Sequence, residues 1–391
     1  MMADMCEGGD GIMKKERMTP RERVMMAINH CEPDRVPLDF YAVPEELEAL
    51  EKHLGLTPQP DPNFPHYMAA HEALLEYFHT DVRFVAPRYI GPELPKFEDG
   101  SFMDVWGFRR TVTNYGLGTY YEFLDPRLAN ATTVAEVDAY PWPDPDWWDY
   151  SVIRLQCERY DRYAIIAGDD GNVDFINRAS FLRGYEQVML DIATRNEVLF
   201  RIWDHLSDFF YEFDRRILEA GGGRIDIMHF GDDYGTQRDT VISPQIYREL
   251  LQPRWRRHIE QARAYGCKVM HHSCGSTRRL MPDLIATGID VLVTVQPYAG
   301  GMDLREIKRL YGDRLAFHGT LDIQQDLRIN PPEKVREIVR ERIEVMAPGG
   351  GFILAPTHIV QPDVPVENVL AAYEAALEYG WYDSLGKSTR G

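Results

Sequence analysis

The stretch KVMHHSCGS, residues 268–276, brings two histidines and a cysteine together where an apolar run ends. Alternate side chains of a β-strand point to opposite faces, so His272 and Cys274 share one face while His271 lies on the other. An imidazole nitrogen and a thiolate sulfur on one face are ligand types that zinc accepts. Buried cysteines and strand-end histidines are also common as packing residues, so this pair by itself leaves a metal site and a structural role both open.

Eight apolar runs recur along the chain, and the later ones alternate with helical patterns. The runs cover residues 36–42, 81–87, 164–170, 225–233, 268–274, 291–297, 315–322 and 351–356. Strands that alternate with helices predict a parallel sheet covered by helices, and eight of them favour a closed (β/α)8 TIM barrel. We therefore expect an α/β protein with a single barrel domain at residues 18–385. An insertion at residues 91–162 would separate the second and third strands, and residues 1–17 would form a flexible N-terminal tail.

Polar side chains concentrate at the carboxyl ends of these runs, which in a parallel barrel form the face where enzymes build their sites. These residues are Asp39, Asp169, Asp170, Asp232, Asp233, His272, Cys274, Gln296, His318 and Asp322, with His358 just past the last run. Asp232 and Asp233 could act as catalytic groups that orient an imidazole or accept a proton, or they could hold a loop. The candidates for substrate contacts are Asp39, Asp169, Tyr234, Gln296, His318 and Asp322. For His318, a place in the core is the alternative.

Composition excludes several classes of function. The chain has 62 acidic and 43 basic side chains and a formal net charge of −19, which would repel a nucleic-acid backbone. No apolar run reaches the roughly 18 residues that a membrane span requires. The first residues lack the apolar middle of a signal peptide, so we expect a cytoplasmic protein whose five scattered cysteines are reduced.

Several long motifs carry a resemblance to a known family. They are MTPRERVMMAINHCEPDRVP from residue 18, FGDDYGTQRDTVISPQIYRELLQPRWRRH from residue 230, HSCGS from residue 272 and GGGFILAPTHIVQPDVPVENVLAAYEAA from residue 349. Together with residues 288–324, they resemble the uroporphyrinogen decarboxylase superfamily. The resemblance extends over residues 18–379 and implies a (β/α)8 barrel, in agreement with the count of apolar runs.

The superfamily contains two kinds of enzyme. Its decarboxylases carry an arginine-bearing N-terminal stretch that holds the substrate carboxylates, whereas here the first run reads VPLDFYAVPEE, with Asp39 and no arginine. Carboxylates at the expected barrel mouth would repel a polyanionic tetrapyrrole. The chain is more similar to the methyltransferases, which move a methyl group between a corrinoid carrier and a thiol or related acceptor.

The methyltransferase resemblance implies a zinc site. In that branch the His-x-Cys pair and a cysteine in the late glycine-rich turn bind zinc, which presents a thiol as its thiolate. Here His358 stands in place of that cysteine. The implied ligands are therefore His272, Cys274 and His358, with a corrinoid protein and a small molecule as partners and a homodimer as the expected assembly. Two alternatives stay open: a decarboxylase in which His358 and an aspartate transfer protons, and a non-catalytic partner of a corrinoid protein.

Overall fold

The structure is a computed structural model, and it describes residues 16–114, 116 and 118–385. Its strands are β1 (Val82–Val85), β2 (Arg88–Tyr89), β3 (Phe102–Met103), β4 (Arg109–Asn114), β5 (Thr119–Leu124), β6 (Trp148–Asp149), β7 (Ala164–Val173), β8 (Ile227–Gly231), β9 (Lys268–His272), β10 (Val291–Val295), β11 (Ala316–Leu321) and β12 (Phe352–Pro356). Seven of them form one curled sheet in the order β1-β7-β8-β9-β10-β11-β12, and each neighbouring pair is parallel. The α/β class and the parallel sheet predicted from the sequence are confirmed.

The helices lie mainly between the strands of this sheet. They are α1 (Pro20–Ile28), α2 (Pro44–Leu54), α3 (Glu72–Tyr77), α4 (Val134–Asp138), α5 (Ser151–Arg159), α6 (Asn177–Arg183), α7 (Tyr185–Thr194), α8 (Glu197–Gly221), α9 (Pro244–Ile246), α10 (Gln252–Ala264), α11 (Met281–Thr287), α12 (Leu304–Tyr311), α13 (Pro332–Met346), α14 (Val366–Tyr379) and α15 (Tyr382–Leu385). Short helical turns occupy Tyr67–His71, Pro145–Trp147 and Tyr247–Leu251. Across the part of the chain that the structure describes, no helix combines the length and apolarity needed to cross a membrane.

The sheet separates two apolar clusters because its side chains alternate. On β7, Ile165 joins the large cluster packed against the helices, whereas Ile166 joins a smaller cluster on the inner face of the sheet. Helix α1 covers the amino ends of the strands, where the Arg21 amide donates to Arg162 and the Gly351 amide donates to Ala27. The carboxyl ends of the strands lie at the opposite edge.

The first apolar run, residues 36–42, does not form a regular strand. The Asp39 amide donates to Leu354 of β12 over 3.1 Å, and the Asp81 amide donates to Leu38 over 2.8 Å. The run therefore bonds to both ends of the seven-stranded sheet. The backbone hydrogen bonds between this run and the sheet are interrupted for two reasons. Pro37 has no N–H, and the Leu38 amide donates to the side chain of Asp81 at 2.8 Å instead of to a strand.

A buried ionic network fixes this part of the chain. Asp81 is fully buried, and its carboxylate accepts from Arg23 at 2.6 Å and from Arg35 at 2.8 Å. Asp34 forms a second pair with Arg23 at 2.7 Å. Both guanidinium groups are compensated by carboxylates, which a buried charge requires. Helix α1 and the first apolar run are thereby attached to β1.

The segment between β1 and β7 contains the small elements of the fold. Strands β3, β4 and β5 form an antiparallel sheet, and β2 pairs with β6. Aromatic contacts hold this segment against the helices: Phe123 stacks on Phe181 of α6, and Trp106 stacks on Phe210 of α8 with ring centroids 5.3 Å apart.

Candidate metal centre

Three side chains of different chemistry converge at the carboxyl ends of β8 and β9. Donor atoms of Asp233, His272 and Cys274 all lie within 4.8 Å of one another. The Cys274 Sγ atom is 3.3 Å from His272 Nε2, and that nitrogen is 3.4 Å from Asp233 Oδ1. Tetrahedral zinc with ordinary bond lengths would separate the nitrogen and sulfur by roughly 3.6 Å. The observed spacing therefore fits such an ion after a small adjustment.

The backbone of two neighbouring strands positions these donors. Gly231 of β8 pairs with His272 of β9, which brings the residues that follow both strands side by side. The Cys274 amide donates to Asp233 Oδ1 at 2.7 Å, and the Asn177 side chain donates to Asp233 Oδ2 at 3.1 Å. The carboxylate is consequently fixed from two elements before any ligand binds.

The electrostatics of this cluster favour charged groups. Burial raises the pKa of Cys274, but hydrogen bonds with His272 and His358 outweigh it and leave the pKa below the ordinary value of a thiol. Burial lowers the pKa of His272, but the carboxylates of Asp170 and Asp233 outweigh it and raise that pKa well above its ordinary value. Cys274 is thus more readily converted to the thiolate, the form that binds metals.

His358 approaches the same cluster from the end of β12. Its ring centroid is 6.2 Å from that of His272. Burial lowers the pKa of His358, but its hydrogen bond with Cys274 outweighs it and raises the pKa. Of the predicted ligands, His272 and Cys274 therefore meet directly and His358 contacts the thiol. Among the described residues, the three side chains whose donor atoms lie within 4.8 Å of one another are Asp233, His272 and Cys274. Asp233, rather than the predicted His358, is therefore the third member of this group.

A third histidine lies near the cluster, and it was not predicted from the sequence. His229 of β8 is buried, and its Nε2 atom is 3.2 Å from Asp170 Oδ1. The same carboxylate oxygen is 3.2 Å from His272 Nδ1. Burial lowers the pKa of His229 to about 4, so the ring is neutral at physiological pH. In the sequence, His229 is a lone histidine inside the apolar run at residues 225–233, and this polar residue among apolar ones could have marked it as a site residue.

Asp39 and His318, both predicted substrate contacts, bind each other. His318 Nε2 is 2.9 Å from Asp39 Oδ2, and both side chains are buried. The Phe40 amide donates to Asp39 Oδ1 at 2.8 Å, and Tyr41 stacks on the His318 ring with centroids 6.3 Å apart. The two residues form a preorganised pair on either side of β12, with Asp39 in the first apolar run and His318 on β11.

Three other predicted substrate contacts have structural partners. Gln296 Oε1 accepts from the Gly275 amide at 2.6 Å and thereby fixes the turn after Cys274. Asp322 Oδ1 accepts from the amides that follow it, at 2.7 and 2.9 Å, as a turn-stabilising aspartate does. Tyr234 is fully buried and stacks on His271, on the helix-covered side of the sheet. Asp169 is exposed at the strand ends.

Asp232, expected as a catalytic group, is a buried anchor in the structure. Its Oδ1 accepts from the Ile176 amide at 3.0 Å, and only 1% of the residue is exposed. Burial raises the pKa of Asp232 well above its ordinary value, and burial also raises the pKa of the neighbouring Asp174, to about 6. The Asp232 carboxyl thus holds the loop after β7, the alternative to a catalytic role for this residue.

Comparison with known proteins adds to this geometry. A family model described as Uroporphyrinogen decarboxylase (URO-D) matches residues 121–379. Methylcobamide:CoM methyltransferase MtaA of Methanosarcina barkeri is 26% identical over 226 residues, which is 55% of this chain and 58% of the relative. The protein of that name from strain Fusaro is 24% identical over 215 residues, with shares of 55% and 58%. The chain thus aligns with little more than half the length of these relatives.

A solved structure shares the fold over a longer range. A methyltransferase from Methanosarcina mazei superposes with a TM-score of 0.63 and covers 93% of this chain and 99% of that chain. The two sequences are 20% identical in this comparison. At that level the likeness is one of fold.

Proposed function

Because the chain belongs to the uroporphyrinogen decarboxylase family, we propose that it is a zinc-dependent methyltransferase. It would move a methyl group between a corrinoid carried by a partner protein and a small thiol. The observation that carries this proposal is the convergence of His272, Cys274 and Asp233 within 4.8 Å at the strand ends. The curated relatives, named as methylcobamide:CoM methyltransferases, support the same branch of the family.

The proposal includes a closed barrel as the scaffold. Residues 36–42 would complete the barrel as its eighth, irregular strand. They bond to β12 on one side and, on the other side, to Asp81, which directly precedes β1. One domain at residues 18–385 would then carry the site at its carboxyl-terminal mouth, with residues 91–162 as an insertion. This is the face on which barrel enzymes carry their catalytic groups.

The donor set fits zinc. Imidazole nitrogen, thiolate sulfur and carboxylate oxygen are all zinc ligands, and three protein ligands with one open position are typical of catalytic sites. His272 and Cys274 would hold the ion, with Asp233 or His358 as the third ligand. When bound, zinc would supply a Lewis acid that lowers the pKa of a substrate thiol and presents it as a thiolate.

The chain's own residues would prepare that chemistry in three ways. Asp233, fixed by the Cys274 amide and the Asn177 side chain, holds negative charge against the His272 ring. The hydrogen bond between His358 and the Cys274 sulfur raises the pKa of His358, and with the His272 contact it lowers the pKa of Cys274. Asp39 and His318, both buried and 2.9 Å apart, hold each other in place beside β12.

Decarboxylation of a porphyrinogen is less well supported. The carboxylates of Asp169, Asp170 and Asp233 lie at the same strand ends, so a substrate with many carboxylates would be repelled. We expect no turnover of uroporphyrinogen. Formation of coproporphyrinogen well above a heat-inactivated control would favour the decarboxylase over the methyltransferase.

The test is a methyl-transfer assay with matched cysteine variants. Methylcobalamin and coenzyme M are supplied to the purified protein, and the loss of the methylcobalamin absorbance is followed. Cys274→Ala should abolish the reaction, whereas Cys31→Ala, at an exposed cysteine, should retain it. Equal rates for wild type and Cys274→Ala would contradict the proposal.

A further inference from the structure

A break in strand alternation occurs at Thr294, one strand away from the candidate metal centre. Val293 packs in the inner cluster, while Leu292 and Val295 pack on the helix-covered side. Regular alternation would turn Thr294 outward with Leu292. Instead its φ angle is +69°, and the register with β11 shifts between Leu292 and Val295. Two consecutive side chains of β10, those of Val293 and Thr294, therefore lie on the inner side.

This backbone conformation is unusual for threonine. A β-branched residue at positive φ is a genuine outlier, and such strain persists only where the surrounding structure determines it. Strain of this kind clusters at active sites and ligand sites. Its consequence here is a contact with the candidate metal centre: the Thr294 hydroxyl lies 2.8 Å from His272 Nδ1. Only 1% of Thr294 and 5% of His272 is exposed, so water does not compete for that contact.

The contact is on the opposite edge of the ring from the metal donors. His272 Nε2 is 3.3 Å from the Cys274 sulfur, whereas Nδ1 faces Thr294. Asp170 Oδ1 lies 3.2 Å from the same Nδ1, farther than the hydroxyl, and half of its side chain is exposed. A neutral imidazole carries one proton, and the partner of one nitrogen decides which nitrogen is free to bind.

We propose that Thr294 is a positioning residue: in the neutral ring of His272, the form that binds a metal, its hydroxyl accepts the Nδ1–H and leaves the Nε2 lone pair directed at Cys274 and Asp233. This inference rests on the proposed zinc site. The strained backbone of β10 is the device that turns the hydroxyl inward, because a regular strand would place it on the other face. The hydroxyl, rather than the bulk of the side chain, is the functional part.

The neighbouring strand offers a matched control. Thr320 of β11 is also a fully buried threonine, with a φ angle of +80°. Its hydroxyl has no hydrogen-bond partner among the described residues. Thr320→Val therefore removes the same hydroxyl from the same kind of strained position without removing a hydrogen bond of His272.

The experiment measures zinc affinity by competition with a chelator in wild type, Thr294→Val, Thr294→Ser and Thr320→Val. Loss of such a supporting contact typically weakens metal binding about 10–100-fold. We expect that loss for Thr294→Val, near wild-type affinity for Thr294→Ser, and no change for Thr320→Val. Unchanged affinity in Thr294→Val, or equal losses in both valine variants, would overturn the inference.

A second measurement does not depend on zinc or on the folding of a variant. Ring nitrogen chemical shifts of ¹⁵N-histidine in the metal-free wild type, taken where the His272 ring is neutral, report its tautomer. The Nδ1–H form is expected, and the Nε2–H form would overturn the inference. A wild type that binds no zinc while His272 is in the Nδ1–H form would refute the proposed function and leave the role of Thr294 standing.

Discussion

Replacement of Asp81 by asparagine tests the ionic network that attaches the first apolar run to the sheet. Asp81 is fully buried and accepts from Arg23, Arg35 and the Leu38 amide. Asparagine has nearly the same shape, but it carries no charge and offers one acceptor oxygen in place of two. Arg35 would lose its fully buried carboxylate partner, and the side-chain N–H₂ of the asparagine would face other N–H donors. The variant therefore probes electrostatics with little change in packing.

The expected cost follows from these contacts. Removing one partner of a buried ion pair costs about 3–5 kcal/mol, because the other charge stays buried. Arg23 keeps Asp34 at 2.7 Å, and Arg35 keeps the partly exposed Glu16 at 2.9 Å, so the upper part of the range is not expected. With an unfolding entropy of about 2.1 cal/mol/K per residue, a loss of about 4 kcal/mol lowers the Tm of this chain by about 5 °C.

The assay is differential scanning calorimetry with a surface control. Glu341 pairs with Arg305 at 3.8 Å, and both side chains are more than half exposed. Glu341→Gln should change the unfolding free energy by no more than about 0.5 kcal/mol. Amide hydrogen exchange at Leu38 and Asp39 should also accelerate in Asp81→Asn. A Tm within about 1 °C of wild type would refute the reasoning.

Three further perturbations have defined outcomes. Burial raises the pKa of Glu46 from 4.5 to about 8, so its favourable contribution is complete below pH 4.5 and is lost as the pH rises through about 8. Glu46→Gln should therefore stabilise the protein by about 3–4 kcal/mol more near pH 8 than near pH 5 in urea unfolding, and equal effects would contradict the buried state of Glu46. Gly231→Ala should destabilise the fold and weaken zinc binding, because the new Cβ would lie 1.7 Å from the Asp170 carbonyl oxygen; unchanged melting would contradict this. Asn177→Ala should weaken zinc binding about 10-fold through the freed Asp233 carboxylate, and an unchanged dissociation constant would exclude this supporting role.

Much of the sheet was predictable because each strand is a short apolar run followed by polar residues. Seven of the eight runs contain strands of the parallel sheet. Because side chains alternate along a strand, the sequence also predicted that the two adjacent histidines lie on opposite faces. His271 packs edge-on against Trp255 in the core, and His272 lies beside Cys274. The first run was harder to predict because its irregularity comes from Asp81, a residue far away in sequence that captures the Leu38 amide.

The finer structure of the site depends on geometry that residue types do not encode. The sequence of residues 291–295 is typical of a regular strand, yet the positive φ of Thr294 turns its hydroxyl toward His272. Which carboxylate lies nearest to the thiol depends on the pairing of β8 with β9, and this pairing favours Asp233. Asp232 carried the same signal in the sequence as its neighbour, but its side chain points into the loop after β7.

The central claim is that His272 and Cys274 hold zinc, and elemental analysis tests it most directly. Wild-type protein, supplied with zinc and purified without chelators, is compared with Cys274→Ala and with Cys31→Ala as the control at an exposed cysteine. We expect about one zinc per chain in the wild type and the control, and a large loss in Cys274→Ala, since one of three protein ligands is removed. Wild-type protein without zinc, or Cys274→Ala with as much zinc as the wild type, would contradict it.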